Sequence, residues 1–445
     1  MKTKKLIKIW NVAIVSVVFF CTLLLPGALL GAKIPSIEDV VALKAPPPTI
    51  EDLTGGRVKN TDLIDKHNVE LVKDYLTAAM YEYIKKGMVL KTGTQLPPNQ
   101  LNPKAFRDAT ERNRGKAVMN ENGAVYYEKI GTFWPGGYPY PWAKTGVEAM
   151  GNYNYGRVWD SFSNLPVFIW YINPKGELYK TSGQEHYYIK ISGRTTVPPL
   201  GTMPGYKDIY VKRLTFATYP LEIKGLGQYS LRYYDSYKEY DTGFAYLPAF
   251  KRTLRINAST WQDNVAGSDM IFGDGLAFQE PYSNWDLKLL GKKFLLVHEP
   301  KSPVPIIDEK GNVSKNVQFD MGKTFPRLGW IIWPVDVVEA IPKFKHVYGK
   351  RIVFIPIYPY IYSISGIAAT DIYDKQMKLW KGYIQIFGSH RYLGNDPDKA
   401  VTQETGAIMT DLQTGHTTHF WMNNLVNPVL NPDSIALGTM IKLGR

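Results

Sequence analysis

The sequence predicts a mainly β protein with helices: a large curved antiparallel sheet that forms an incomplete β-barrel, with helices against its concave side. Three observations carry this reading. Strand-length segments recur from about residue 167 onward, and turn residues separate almost all of them. Helix-sized patterns do not alternate with these segments, which argues against a parallel α/β sheet. The 30 tyrosines and 11 tryptophans suit many pleated, half-buried surfaces. A sheet of so many strands curls rather than staying flat.

The chain opens on an export-signal pattern. Lys2, Lys4, Lys5 and Lys8 form a charged start, residues 12–25 form an apolar run broken by Pro26-Gly27, and Gly31-Ala32 offers small residues for cleavage. The apolar run is short for a membrane span. Residues 1–32 are therefore read as a signal peptide, and N-terminal sequencing of the exported protein is expected to start at or near Lys33. An uncleaved or lipid-modified N-terminus would contradict this. The only cysteine, Cys21, lies inside the signal, behind the large Phe20, and is not read as a lipid attachment site. The mature chain then offers no disulfide, thiolate nucleophile or cysteine metal site. Of the formal charge of +13, removal of the four signal lysines leaves +9. The basic residues are scattered, and with an export signal a nucleic-acid partner falls away.

Residues 33–58, with Pro46-Pro47-Pro48 and Gly55-Gly56, read as an extended tail or linker. Residues 59–445 read as one domain. Residues 61–86 read as one helix, capped by Asn60 or Thr61 and ended at Gly87. Val69, Val72, Leu76, Ala79, Met80 and Tyr83 recur on one apolar face, so the helix is expected to pack on the sheet and to cover the barrel mouth as a plug. Thr145 and Glu148 form a capping box that opens a second helix to about Tyr155.

The strands follow. Residues 167–172 are apolar throughout, as in a strand covered on both faces. Further segments lie at 178–179, 187–192, 209–218, 229–237, 251–256, 330–341, 351–364, 377–387 and 408–412. Residues 285–297 read as two strand pieces with a turn at Gly291-Lys292-Lys293. On residues 228–235 the alternation is read with Tyr229, Leu231 and Tyr233 inward and Arg232 outward. On 251–256 it is read with Leu254 and Ile256 inward and Thr253 and Arg255 outward. With Leu76, Met80 and Tyr83 closing the opposite side, these residues are the candidate lining of a hydrophobic cavity. A filled core is the plainer alternative.

Catalytic chemistry is not expected. There is no G-x-S-x-G elbow. His416 and His419, three apart near a turn, are read as a solvent-facing pair rather than metal ligands. Asp235 with Glu239, and Asp371 with Asp374, are read as turn and edge carboxylates. Gly273-Asp274-Gly275 lacks the Lys-Ser/Thr of a phosphate loop. GSDMIFGDG, at 267–275, is read as a structured loop between strands, ahead of a metal-binding turn through Asp269 and Asp274. No cofactor and no metal is expected.

The segments LPAFKRTLRI, GSDMIF, NWDLKLLGKK, VDVVEAI, HVYGKRIVFI, DIYDKQMKLWK and TDLQTG, in this order and spacing, resemble a bacterial envelope family known as DUF1329. That family in turn resembles the LolA-type periplasmic lipoprotein carriers. The likeness runs from about Tyr126 to Phe420. It includes GVEA at 146–149, although the Trp-Asn-His usual after it is replaced by Met150-Gly151-Asn152. The resemblance implies a large incomplete β-barrel of the LolA/LppX kind and a periplasmic place, peripheral at the outer membrane at most. It also implies cooperation with an inner-membrane exporter of the resistance-nodulation-division (RND) type and an outer-membrane barrel.

The function expected is a carrier for a hydrophobic ligand: a lipid, a lipoprotein acyl chain or a hydrocarbon. Burial gains about 0.8 kcal/mol per methylene, so an apolar hollow binds a long chain without catalytic residues. One alternative is an integral outer-membrane barrel. The leading helix, the proline-rich loops and the Ile441-Lys442-Leu443-Gly444-Arg445 ending argue against it. The other is an envelope glycan-binding or enzymatic scaffold.

Overall fold

The structure is a computed structural model. It describes residues 34–93, 102–206, 208–236, 241–256, 258–300, 317–358, 366–390 and 401–444. The expected signal peptide lies outside the described residues.

The stretch expected as an extended tail instead holds two short helices, α1 (Ile37–Val41) and α2 (Ile50–Leu53). Ser36 accepts from the Asp39 N–H at the start of α1, and Thr49 and Asp52 form a reciprocal capping box on α2. Val40 is fully buried in a cluster with Leu295, Trp333 and Phe354, so this stretch packs against the sheet.

The helix expected over 61–86 is also divided. A two-residue strand, β1 (Leu63–Ile64), is followed by a 3-10 turn, Val69–Tyr75, and then by α3 (Ala78–Lys86). Leu76 is extended, and Thr77 restarts the helix by accepting from the Met80 N–H. Asp371 accepts from the N–H groups of Ala78 and Ala79 at 2.7 and 3.0 Å, so a buried carboxylate completes the helix N-terminus. Asp371 is thus no edge residue. Asp374 does hold a turn, accepting from the N–H groups of Gln376 and Lys378.

Next come β2 (Leu90–Thr92), α4 (Lys104–Arg112), the hairpin β3 (Ala117–Met119) with β4 (Val125–Tyr127), and α5 (Gly146–Tyr155). Thr145 caps α5 through the Glu148 N–H, as its sequence predicts. The remaining strands are β5 (Ser161–Ile172), β6 (Leu178–Lys190), β7 (Ile209–Tyr219), β8 (Gly227–Tyr233), β9 (Thr242–Leu247), β10 (Arg252–Ile256), β11 (Trp285–His298), β12 (Phe319–Asp320), β13 (Phe325–Pro326), β14 (Gly329–Pro342), β15 (Lys350–Pro356), β16 (Ala369–Tyr373), β17 (Leu379–His390), β18 (Val401–Asp411) and β19 (Thr417–Val426). The chain closes on α6 (Leu437–Leu443). β11 runs without the expected turn. Gly291 instead makes a bulge against β14, which keeps the pairing on both sides of it.

Two antiparallel meanders, β5 to β10 and β14 to β19, join edge to edge through β19 and β5 into one large sheet. β11 pairs with β14, and β2 meets the start of β14 in parallel. β10 ends the path at one side, so the sheet is not closed. The architecture is mainly β, with one large mixed sheet, as the sequence predicts. Among the described residues, no helix is long and apolar enough to cross a membrane.

The middle strands are covered on both faces. On β5, β17, β18 and β19, Ile169, Tyr171, Tyr383, Ala407, Met409 and Phe420 enter one core with α5 residues Met150 and Tyr153. Phe168, Trp170, Ile384, Ile408 and Trp421, of the other parity, pack with Leu76, Met80 and Tyr83. α3 and α5 therefore lie on opposite faces of these strands.

Candidate functional site

Two adjoining cavities, of about 130 and about 180 Å³, lie on the α5 side of the sheet. They share Arg213, Gln228, Ser230, Trp261 and Phe272 in their walls. Together they reach the small end of the range for ligand sites, roughly 300–1,000 Å³. The floor comes from strands and is largely polar: Asn164, Gln184, His186, Arg213, Thr215 and Gln228. The roof is the connection between β10 and β11, which supplies Trp261, Val265, Met270, Phe272 and Leu276.

The roof is pinned at several points. Asp269 accepts from the Thr418 hydroxyl and pairs with His416, both at 2.7 Å. The Lys381 ammonium donates to the Asp269 carbonyl at 2.6 Å. Arg351, fully buried on β15, lies 3.2 Å from Asp274 and 2.9 Å from Glu280, and its guanidinium packs among the rings of Phe278, Trp285 and Tyr348. The Tyr348 hydroxyl donates to Asp274 at 2.7 Å. His346 Nδ1 accepts from the Tyr348 N–H, so its Nε2 carries a hydrogen and donates to Glu280. From α5, the Tyr153 hydroxyl reaches the carbonyls of Leu276 and Phe278. Gly273 belongs to this fit, since a Cβ there would stand 2.2 Å from a Glu280 oxygen. The segment is a structured loop, and Asp269 and Asp274 take separate partners in it. Among the described residues, no group of three or more His, Cys, Asp and Glu side chains gathers as metal ligands would.

Charge is concentrated at the floor. Asp241 binds both Arg213 and Arg232 at 3.0 Å, and all three are nearly buried. Gln279 of the roof accepts from both arginines. Glu404 on β18 is 2 % exposed and accepts from the Tyr383 hydroxyl through one oxygen; its other oxygen has no partner. Burial pushes the Glu404 carboxyl up to about 8, against small opposing effects of Tyr383 and Arg157. Burial pushes His186 down to about 4, and its Nε2 contacts Gln184.

The residues expected to line the cavity divide. Ile256 does line it. Leu254 is 52 % exposed on the edge strand β10. The expected facing of β8 is reversed. Gln228 and Ser230 face the cavity, whereas Tyr229 and Leu231 pack with Ile435 and Met440 around α6. Tyr233 is half-buried, with its hydroxyl against Thr242, and Arg232, expected outward, is buried with Asp241. The reason is that the C-terminal α6 covers the apolar residues from behind and leaves the polar ones to the cavity. Leu76, Met80 and Tyr83 are buried on the opposite face of the sheet and do not close the cavity.

Of the other candidates, Asp235 accepts from Asn120 and Asn122, and Glu239 lies outside the described residues. His416 and His419 are no solvent-facing pair, because His419 is fully buried and donates to the Thr324 carbonyl at 2.8 Å. Asn164, Arg213, Trp261, Phe272 and Glu404 were not legible as site residues. The adjacent charges Lys212 and Arg213 inside a largely apolar strand were the one signal available, for Arg213.

A family model described as "Protein of unknown function (DUF1329)" matches residues 63–435. No curated protein matches the chain. Among solved structures, a putative outer membrane lipoprotein-sorting protein domain from Vibrio parahaemolyticus is similar at 17% identity and a TM-score of 0.43, covering 66% of this chain and 98% of that one. A DUF1329 family protein from Desulfovibrio piger is similar at 15% identity and a TM-score of 0.41, covering 63% and 92%. A LolA superfamily protein from Nitrosomonas europaea is similar at 12% identity and a TM-score of 0.38, covering 67% and 100%.

Proposed function

The chain belongs to the DUF1329 family, and from that premise we propose that it is a non-enzymatic binding or carrier protein of the periplasm that holds a hydrophobic ligand in the roofed cavity. The observation that carries the reading is the cavity itself: an apolar roof pinned over a strand floor, large enough for part of a chain-like molecule. The export-signal pattern supports the periplasmic address. Ligand handover with an RND-type exporter and an outer-membrane barrel is proposed on the family resemblance alone.

Ser230 lies in the walls of both cavities, so enlarging it fills them. Ser230→Leu is expected to weaken binding of the neutral fluorophore N-phenyl-1-naphthylamine at least about tenfold, at a stability cost of about 1–3 kcal/mol for overpacking. Fluorescence titration beside thermal melting checks it. A folded variant with unchanged binding would place the ligand elsewhere.

A further inference from the structure

We propose that the ligand is an amphiphile with one anionic head, a long-chain carboxylate, whose head sits against Arg213 and Glu404 while its chain runs beneath the roof. This rests on reading the cavity as the ligand site and adds the chemistry of the ligand.

The first observation is an imbalance of charge. Arg213 and Arg232 share the single carboxylate of Asp241, and all three are nearly buried. Two guanidiniums always carry their charge, whereas one carboxylate neutralises only one of them. Glu404 does not restore the balance, because burial keeps its carboxyl protonated at neutral pH. A buried excess of positive charge is costly unless an anion meets it.

The second observation is the set of polar atoms without partners in the same wall. Arg213 uses its terminal nitrogens on Asp241 and Gln279, and its Nε–H has no acceptor. The second oxygen of Glu404 has none either and, in the protonated acid, can donate. The Asn164 side-chain N–H group, on a residue 2 % exposed, donates only to the weak acceptor Met422 sulfur at 3.6 Å. All three residues line the cavity of about 130 Å³. Unmade hydrogen bonds at buried groups are expensive, and a carboxylate accepts from several donors at once. The roof above is Val265, Met270, Phe272 and Leu276, which suits a methylene chain.

The test uses the delipidated mature protein, with displacement of N-phenyl-1-naphthylamine at pH 7 by dodecanoate and by methyl dodecanoate. The two share a chain and differ in the head. The proposal expects dodecanoate to bind at least about tenfold more tightly, since 1.4 kcal/mol is one decade. Arg213→Met should abolish that preference, bringing acid and ester to similar affinities; Arg213→Lys, which keeps the charge, should retain part of it. If Arg213→Met does not fold, the comparison in the unaltered protein decides alone. Equal binding of acid and ester, both lost in Ser230→Leu, would overturn the anionic head and leave the cavity reading standing. Binding of neither, with a probe signal that Ser230→Leu leaves unchanged, would overturn both.

Discussion

Arg351→Met is expected to destabilise the protein by about 3–5 kcal/mol, the usual cost of removing one partner from a buried ion pair. Arg351 is fully buried and meets Asp274 at 3.2 Å and Glu280 at 2.9 Å. Without it, both carboxylates stay inside the protein with only Tyr348, His346 and nearby N–H groups to face them. Three aromatic rings also lose the guanidinium that fills the space between them. Because both carboxylates belong to the roof, ligand binding should fall with stability. The triple change Arg351→Met with Asp274→Asn and Glu280→Gln removes the stranded charges and should recover a large part of the loss. Denaturant unfolding of the two variants checks this. A loss below about 1 kcal/mol for Arg351→Met would mean that the roof is not held as described.

Glu404→Gln is expected to flatten the fall of stability as pH rises through neutrality, inside the window from about 4.5 to about 8. The folded carboxyl is pushed up to about 8 from its ordinary value of 4.5. Between those values the folded state holds a proton that the unfolded state has released. Stability from this group is therefore complete below about 4.5 and is lost as pH rises through about 8, at ~1.4 kcal/mol per pH unit. Asp336 and Asp371, both raised to about 6, act with the same sign at lower pH. The half-buried His186 and the buried His419, both lowered to about 4, act with the opposite sign between about 4 and 6.5. His416 is raised by Asp269 and shares the sign of Glu404, but it is present in both proteins and cancels. The difference between wild type and Glu404→Gln from pH 6.5 to 7.5 should then be the slope of Glu404 alone. Equal slopes would mean that Glu404 is ionised in the folded protein.

Much of the fold was legible because its signals are local. Alternation and turn residues marked most strands, and Thr145 marked the start of α5. The same logic, applied to Ser36 with Asp39 and Thr49 with Asp52, would have found α1 and α2, which the nearby prolines obscured. The site was far less legible. On β8 the two-residue period was visible, but which face meets the cavity depends on α6, from the far end of the chain. α3 was recognised as apolar on one side, yet nothing in it says which face of the sheet it meets; Asp371, on a distant strand, fixes its start. Glu404, Asn164 and Arg213 come together only when β18, β5 and β7 stand in one sheet, with β19 and β6 between them, and that order follows from β19 pairing with β5. The roof loop was noticed as structured, but its anchors His416, Thr418 and Arg351 sit far away in sequence.

The central claim is that the roofed cavity carries a chain-like apolar molecule in the envelope. Mass spectrometry of what copurifies with the mature protein, set beside Ser230→Leu purified in the same way, tests it most directly. The account predicts a long-chain lipid-like species in roughly stoichiometric amount with the wild type and its loss from the folded variant. An identical load in both proteins, or no apolar species in either, would contradict it.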